Sequence, residues 1–440
     1  MATRTAPAIS FAHGGDALAA PRTYGAVTLA MLWGGLMMSM LAFVPGAYLV
    51  PALTLRDAVL VAAGGSVAGA GFLATVAAVA ARRRQNTVGL ISSVLGVPAG
   101  PFIALALFAR HACWAMFMVA FASEVAAQVP ALGGERWAWA LALAAGGLAL
   151  ALLPPAVFVG RWMGWFAFWV GLLMIALITM TGISEYGVTV VHDADGLGGW
   201  PSRAQGFDLI AALPLLWVVV VADYAMDARS PRDAALGTGI GAGAMTAWYA
   251  VVGVLWVFTV STRDVAGFIT ALPLGATALL IVVALEADAV AANLHAASQA
   301  GGRFGYRWFR PALVIAAIGA GAVAVGTDGL AVEDALITLA AITLPLMAVV
   351  VARAALGPAH VVAGWTGWLA GALAYGWINP GDYEPWRDAM DAIFGTVLRA
   401  PFPLGGETTP IPATIVSIAV AGAIYAAGVA FSRWRRVSDG

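Results

Sequence analysis

Residues 269–298 read ITALPLGATALLIVVALEADAVAANLHAAS. The stretch has the length and apolarity of a bilayer-crossing helix, for which about 20 apolar residues suffice. Yet Glu286 and Asp288 stand inside it, followed by Asn293 and His295. A charge near the bilayer centre costs about 2.5–3.5 kcal/mol on insertion scales. Two carboxylates are tolerated there only if they face a cavity, bind a cation or carry a proton. At about 100° per residue, Asp288 and His295 share one face and Glu286 and Asn293 another, nearly opposite. A helix with two polar faces has to be surrounded by protein or water. The fold implied is an all-α membrane bundle.

The rest of the chain agrees. Of 440 residues, 62% are hydrophobic and 10% charged, whereas a soluble domain is nearer half apolar and about a quarter charged. The apolar segments are too long and too evenly apolar for barrel strands. Twelve transmembrane helices are expected, at about 24–50, 57–81, 100–128, 137–158, 162–183, 206–226, 234–260, 270–298, 308–327, 331–352, 360–378 and 410–432. Every residue in the Lys+Arg count of 22 is Arg. With the N-terminus inside, fifteen arginines fall on inner segments and six on outer loops, and Arg110 lies within the third span. That bias follows the positive-inside rule and puts both termini in the cytoplasm of an inner, or cell, membrane protein.

Composition also narrows the chemistry. Without lysine there is no phosphate-loop lysine for ATP and no Schiff base for pyridoxal phosphate or retinal. No cofactor is expected, and transport work must draw on a gradient. Cys113 is alone and forms no intrachain disulfide. His13, His111, His192, His295 and His360 are scattered and no H-E-x-x-H occurs, which argues against an enzyme. A passive channel would need pore-lining rings that the sequence does not display. Nucleic acid and an obligate protein partner are not expected.

The first span contains LWGGLMMSMLAFVPG (32–46), with Gly34, Gly35, Pro45 and Gly46; the sixth contains FDLIAALPLLWVVVVADY (207–224), with Pro214. Helix breakers at matching places, five spans apart, point to inverted repeats with discontinuous helices. In the third span, FIALALFARHACWAMFMVAFASEV (102–125), Trp114, Met118 and Phe121 form an apolar stripe. There Arg110 is expected to reach the inner interface or a carboxylate, and Glu124 to snorkel at the outer end. Asp223 is expected to pair with an inner arginine. GTGIGAGAM (237–245) imitates a dinucleotide fingerprint but follows no strand, so close helix packing is its expected role. YEPWRDAMDAIFGTVL (383–398) reads as a short helix at the membrane surface, a lid or a connector.

Several of these motifs resemble the nucleobase:cation symporter-1 family. They are ADYAMDARSPRDAALGTGIGAGAMTAWY (222–249), ALPLLWVVVVADY (212–224), LWGG (32–35), ACWAM (112–116) and AANLHAAS (291–298). The second is closest to the hydroxymethylpyrimidine, or thiamine-precursor, transporter branch. The resemblance implies a LeuT-like fold of two inverted five-helix repeats plus two further helices. Its divisions are a tail at 1–23, repeats at 24–183 and 206–352, an outer loop at 184–205, two added helices within 353–432 enclosing an outer loop at 379–409, and a tail at 433–440. It implies import of a nucleobase-like heterocycle by cation symport, with hydroxymethylpyrimidine favoured and cytosine or a purine as alternatives. Trp114 and Trp217 would stack on the ring, while Asn293 and Ser39 would hydrogen-bond it. The cation, Na+ or H+, would lie by the carbonyls of Gly35 and Met38 with Ala284, Ala287 and Asp288, and Glu286 close by. Asp288 falls where the family usually has a hydroxyl residue; it would ligate sodium or carry the proton itself. Ala225-Met226 replace a Ser-Arg, and Met118 replaces a Gln common in the family, a loss that suits a pyrimidine precursor better than a hydantoin or allantoin.

Overall fold

The computed structural model describes residues 23–129, 133–186, 196–260, 265–302, 317, 321, 330–381, 383–398 and 411–438. The expected tail at 1–23 lies outside these apart from Thr23, and the span at 308–327 apart from Ala317 and Gly321. The expected outer loops 184–205 and 379–409 are described in part.

The described residues are helical, with one isolated bridge between Tyr24 and Ala228 and no strand. Among them, six helices are long and apolar enough to cross a membrane, and one bent pair adds a seventh crossing by the same measure. The bent pair is the first span. Helix α1 (Ala26–Met37) and α2 (Val44–Tyr48) are separated by a single 3-10 turn at Met40–Ala42, and the two halves are bent by 78°. Pro45 falls in the first turn of α2, where its missing N–H costs nothing.

Helix α3 (Leu55–Arg83) is capped by Thr54, whose hydroxyl accepts from the Asp57 N–H at 3.1 Å. A short helix that the apolar pattern did not foretell, α4 (Thr87–Leu95), fills the next linker. Asp223 accepts from the Thr87 N–H at 2.9 Å. The expected arginine pair for Asp223 is therefore replaced by a helix N-terminus, which offers it donors at no extra charge. Helix α5 (Gly100–Ala127) and α6 (Arg136–Ala151) follow. Glu124 pairs with Arg136 at 3.2 Å at the partly exposed end of α5. Then α7 (Pro155–Val157) runs through a π-helical segment, Phe158–Ala167, into α8 (Phe168–Tyr186).

The sixth span is also interrupted. Helix α9 (Arg203–Leu215) opens on a Ser202–Gln205 capping box and ends just past Pro214; turns lead to α10 (Val221–Ala225). Helix α11 (Pro231–Val260) is continuous. The span expected at 270–298 divides at Pro273 and Leu274, the latter at φ 59°, into α12 (Val265–Ala271) and α13 (Gly275–Gly301). Helices α14 (Leu330–Leu356), α15 (Val361–Ile378), α16 (Glu384–Leu398) and α17 (Ala413–Ser438) complete the described chain.

Small residues set the packing. Alternate glycines of 237–245 face different neighbours: an added Cβ at Gly237 or Gly241 would stand 2.4 or 2.2 Å from the Ala26 or Ala30 carbonyl oxygen of α1. Gly239 and Gly243 face the methyls of Ala74 and Ala70 on α3 at 3.3 Å. The glycine run is thus a packing seam between α1 and α3, as small-residue interfaces in membranes are. The outside is apolar, with Trp165 82% and Val67 71% exposed, which suits a surface bathed in lipid acyl chains. Replacing Gly241 with Ala is expected to lower the thermal stability of the detergent-solubilised protein by roughly 1–3 kcal/mol, an overpacking cost. The same change at Gly71, which has nothing within 4 Å, is the neutral control.

Candidate functional site

Helix α13 carries the polar residues that opened the question, and all four are buried: Glu286, Asp288, Asn293 and His295. They are buried because α13 packs against α5, α6, α8 and α12 rather than lipid. Asp288 is the middle residue of this 27-residue helix.

Each carboxylate has a defined partner. Glu286 Oε1 accepts from Ser39 Oγ at 2.8 Å and from the Met40 N–H at 2.9 Å. Both donors belong to the break of the first span, where the backbone N–H groups have no helical acceptor. Asp288, on the opposite side of α13, accepts from the indole N–H of Trp162. Trp162 lies in the π-helical segment, and the neighbouring Met163 side chain lies against Gly35. The two acids thus lean on the first span differently, Glu286 directly and Asp288 through the fifth span.

A second group of side chains closes around the break of the sixth span. Arg110 donates through Nη2 to the Leu216 carbonyl at 2.7 Å, and its Nη1 lies 3.3 Å from His111 Nδ1. An arginine has no acceptor, so His111 Nδ1 takes the hydrogen bond. The guanidinium carbon stands 5.8 Å from the ring centroid of Trp114, a cation–π distance. Trp217, in the break itself, meets Trp33 edge to face at 6.1 Å. Trp33 meets Tyr224 at 6.2 Å, and Tyr224 meets His295 at 5.4 Å. The His111 ring stands beside the Asn293 amide. Three buried polar atoms here lack partners: Arg110 Nε, Trp33 Nε1 and Tyr224 Oη. Native interiors leave few such atoms, and a cluster of them marks a place where something else supplies the bonds. The first, third, sixth and eighth spans therefore meet in one aromatic and polar cluster bounded by two helix breaks.

The fold has counterparts among solved structures. Mhp1, a nucleobase-cation-symport-1 family transporter in a closed conformation with bromovinylhydantoin bound, matches with a TM-score of 0.66 at 13% identity, covering 96% of each chain. The chain has the fold of Mhp1. The inward-facing conformation of Mhp1 matches at 0.62 and 15% identity, over 95% of this chain and 92% of that one. A Na+-coupled sialic acid symporter in a substrate-bound outward-open state matches at 0.58 and 12% identity, over 94% and 92%. No family model and no curated protein sequence matches the chain. The neighbours are cation-coupled symporters that cross membranes, and they point away from an enzyme.

The structure places the expected residues as follows. Trp114, Met118, Trp217 and Asn293 are buried, with Trp114, Trp217 and Asn293 in the cluster just described. The Ser39 hydroxyl donates to Glu286 and its oxygen accepts from the Leu41 N–H. The Gly35 carbonyl accepts from the Met38 N–H at 3.0 Å, Ala287 lies against Gly146 and Gly147 of α6, and Ala284 is exposed. Positions 284, 287 and 288 share a face of α13, and the face turned to Ser39 is that of Glu286. Among the described residues Arg110 pairs with no carboxylate, and its guanidinium donates to the Leu216 carbonyl. Trp33, Trp162 and Tyr224 were not singled out, since a lone aromatic in an apolar helix carries no signal that separates a site from packing.

Replacing Glu286 with Ala leaves the Met40 N–H and Ser39 hydroxyl without their acceptor, which is expected to cost roughly 1–3 kcal/mol. Glu286→Gln retains an amide oxygen and is expected to cost less. Thermal unfolding of the purified protein in detergent checks both.

Proposed function

We propose that the chain is a secondary active transporter that imports a nucleobase-like heterocycle by symport with a cation, Na+ or H+, through alternating access. The observation that carries the reading is Glu286, a buried carboxylate hydrogen-bonded into the break of the first span from a continuous helix that also holds Asn293. Titration or ion binding at such a group changes what holds α13 to the first span, which is the coupling that symport needs.

The ring is held by Trp114 and Trp217, with Asn293 at its edge and Met118 in the wall. The residues supporting this are drawn together around the sixth-span break. Hydroxymethylpyrimidine is the compound that the sequence resemblance favours. Glu286 and Asp288 are the coupling carboxylates. Asp288 binds sodium or carries a proton, with Gly35, Met38, Ala284 and Ala287 as the accompanying positions from the resemblance. Ser39 acts through Glu286. The membrane is the cell membrane, and both termini are cytoplasmic.

The energetics are sufficient. One charge moving down about 100 mV supplies about 2.3 kcal/mol, and a tenfold cation gradient adds about 1.4 kcal/mol. Together they sustain a substrate accumulation of a few hundredfold.

Proteoliposomes loaded without substrate test the coupling. Wild-type protein is expected to accumulate labelled heterocycle under an imposed sodium or pH gradient and to lose the accumulation with an ionophore. Glu286→Gln and Asp288→Asn are each expected to abolish accumulation while leaving substrate exchange measurable. Undiminished accumulation in both variants would remove the coupling role. Trp114→Ala and Trp217→Ala are each expected to weaken binding roughly 5- to 100-fold, the worth of a ring stack at about 1–3 kcal/mol. Unchanged affinity by calorimetry in both would remove the stacking role.

A further inference from the structure

Among the described residues Arg110 is the one buried arginine, at 5% exposure. It stays charged at any pH the cell meets. No carboxylate among the described residues pairs with it. The ion pairs among the described residues are Arg136–Glu124 and Arg203–Asp57, both reaching solvent-exposed side chains. The acids of α13 are engaged elsewhere, Glu286 at Ser39 and Met40 and Asp288 at Trp162. What Arg110 has is a backbone carbonyl, a neutral imidazole nitrogen and a free Nε. A buried cation without a counter-charge is costly, and the cost persists only where something else repays it.

Position says what repays it. The guanidinium lies by the Trp114 ring and is bonded to the carbonyl of Leu216, in the sixth-span break that also carries Trp217. The unpartnered atoms nearby are mainly donors: Arg110 Nε and Trp33 Nε1, with the Tyr224 hydroxyl able to donate. A site of donors around a fixed positive charge complements a planar ligand rich in acceptors and bearing negative charge.

Within the importer reading above, on which this rests, we propose that Arg110 is the counter-ion of an anionic group on the transported ring. The substrate is then a heterocyclic acid: a ring carrying a carboxylate, or a ring N–H acidic enough to be ionised at neutral pH. Arg110 donates to the oxyanion, Trp114 and Trp217 stack on the ring, and Asn293 bonds the opposite edge. A neutral pyrimidine would leave the guanidinium uncompensated in the loaded state. The charge carried per cycle changes too: one cation with one anion moves no net charge, so uptake becomes insensitive to membrane potential at a stoichiometry of one.

Matched pairs test this on the purified full-length protein by thermal shift and calorimetry: orotate against uracil, nicotinate against nicotinamide, and urate against hypoxanthine, with hydroxymethylpyrimidine alongside. At least one acid is expected to bind tenfold or more tightly than its neutral partner. Arg110→Gln should weaken that acid by tenfold or more and leave the neutral partner unchanged, and Arg110→Lys should recover part of the loss. The wild-type pairs decide the matter even if Arg110→Gln does not fold. If hydroxymethylpyrimidine or another neutral ring binds and every acid is equal or weaker, the anion proposal is overturned while the importer stands. If a neutral ring binds only with chloride present, and not in gluconate, Arg110 serves an inorganic anion and the proposal is equally overturned. If no ring of either charge binds, the importer reading falls and takes this one with it.

Discussion

A carboxylate in a membrane interior needs donors, and Glu286 finds two at the point where the first span stops being helical. The need runs both ways. The break exposes backbone N–H groups that lipid cannot satisfy, and the acid is an acceptor that lipid cannot solvate. Each makes the other tolerable, and neither would persist alone. This fixes α13 against the bent first span and so determines which of its faces meets α5 and which meets the fifth span.

The sixth-span break is served by the opposite charge. Its first half ends at Leu215, and the free carbonyl of Leu216 accepts from Arg110 on α5. A helix end presents partial negative charge at its carbonyls and a helix start partial positive charge at its N–H groups. An anion therefore suits the restart of the first span, and a cation the end of the first half of the sixth. Two unbroken helices, α13 and α5, each lend one ionisable side chain to a broken neighbour. The difference lies in what remains over: Glu286 is bonded by two donors, whereas Arg110 keeps an unpaired Nε, with its guanidinium beside the Trp114 indole.

Close backbone contact keeps these parts in register. The glycine seam of α11 lets α1 approach at distances no side chain would permit and packs α3 tightly on its other side. At the start of α1, the Asp227 carbonyl accepts from the Thr23 and Tyr24 N–H groups, and the Arg229 N–H donates to Tyr24 O at 2.8 Å. The segment leading into the first span is thereby tied to the turn that follows α10. Outside the spans, burial raises the proton affinity of the Asp227 carboxyl, against the nearby Arg84 charge that lowers it.

Much of this was legible from residue types. Apolar length, breakers at Gly34, Gly35, Pro45 and Pro214, and acids at 286 and 288 are local properties, and lipid imposes its rules on each segment separately. They were enough to expect a helical bundle with two interrupted spans around a polar eighth. The glycine run declared its packing role because no strand preceded it. What a sequence does not state is rotation and partner. Only the packed helices decided that Glu286 rather than Asp288 faces the first break, that Asp288 turns to Trp162, that Asp223 caps α4, and that Arg110 meets a carbonyl and, among the described residues, no acid. Those outcomes depend on how each helix is turned about its axis, and that turn is set by the sum of many small contacts with neighbours distant in the chain.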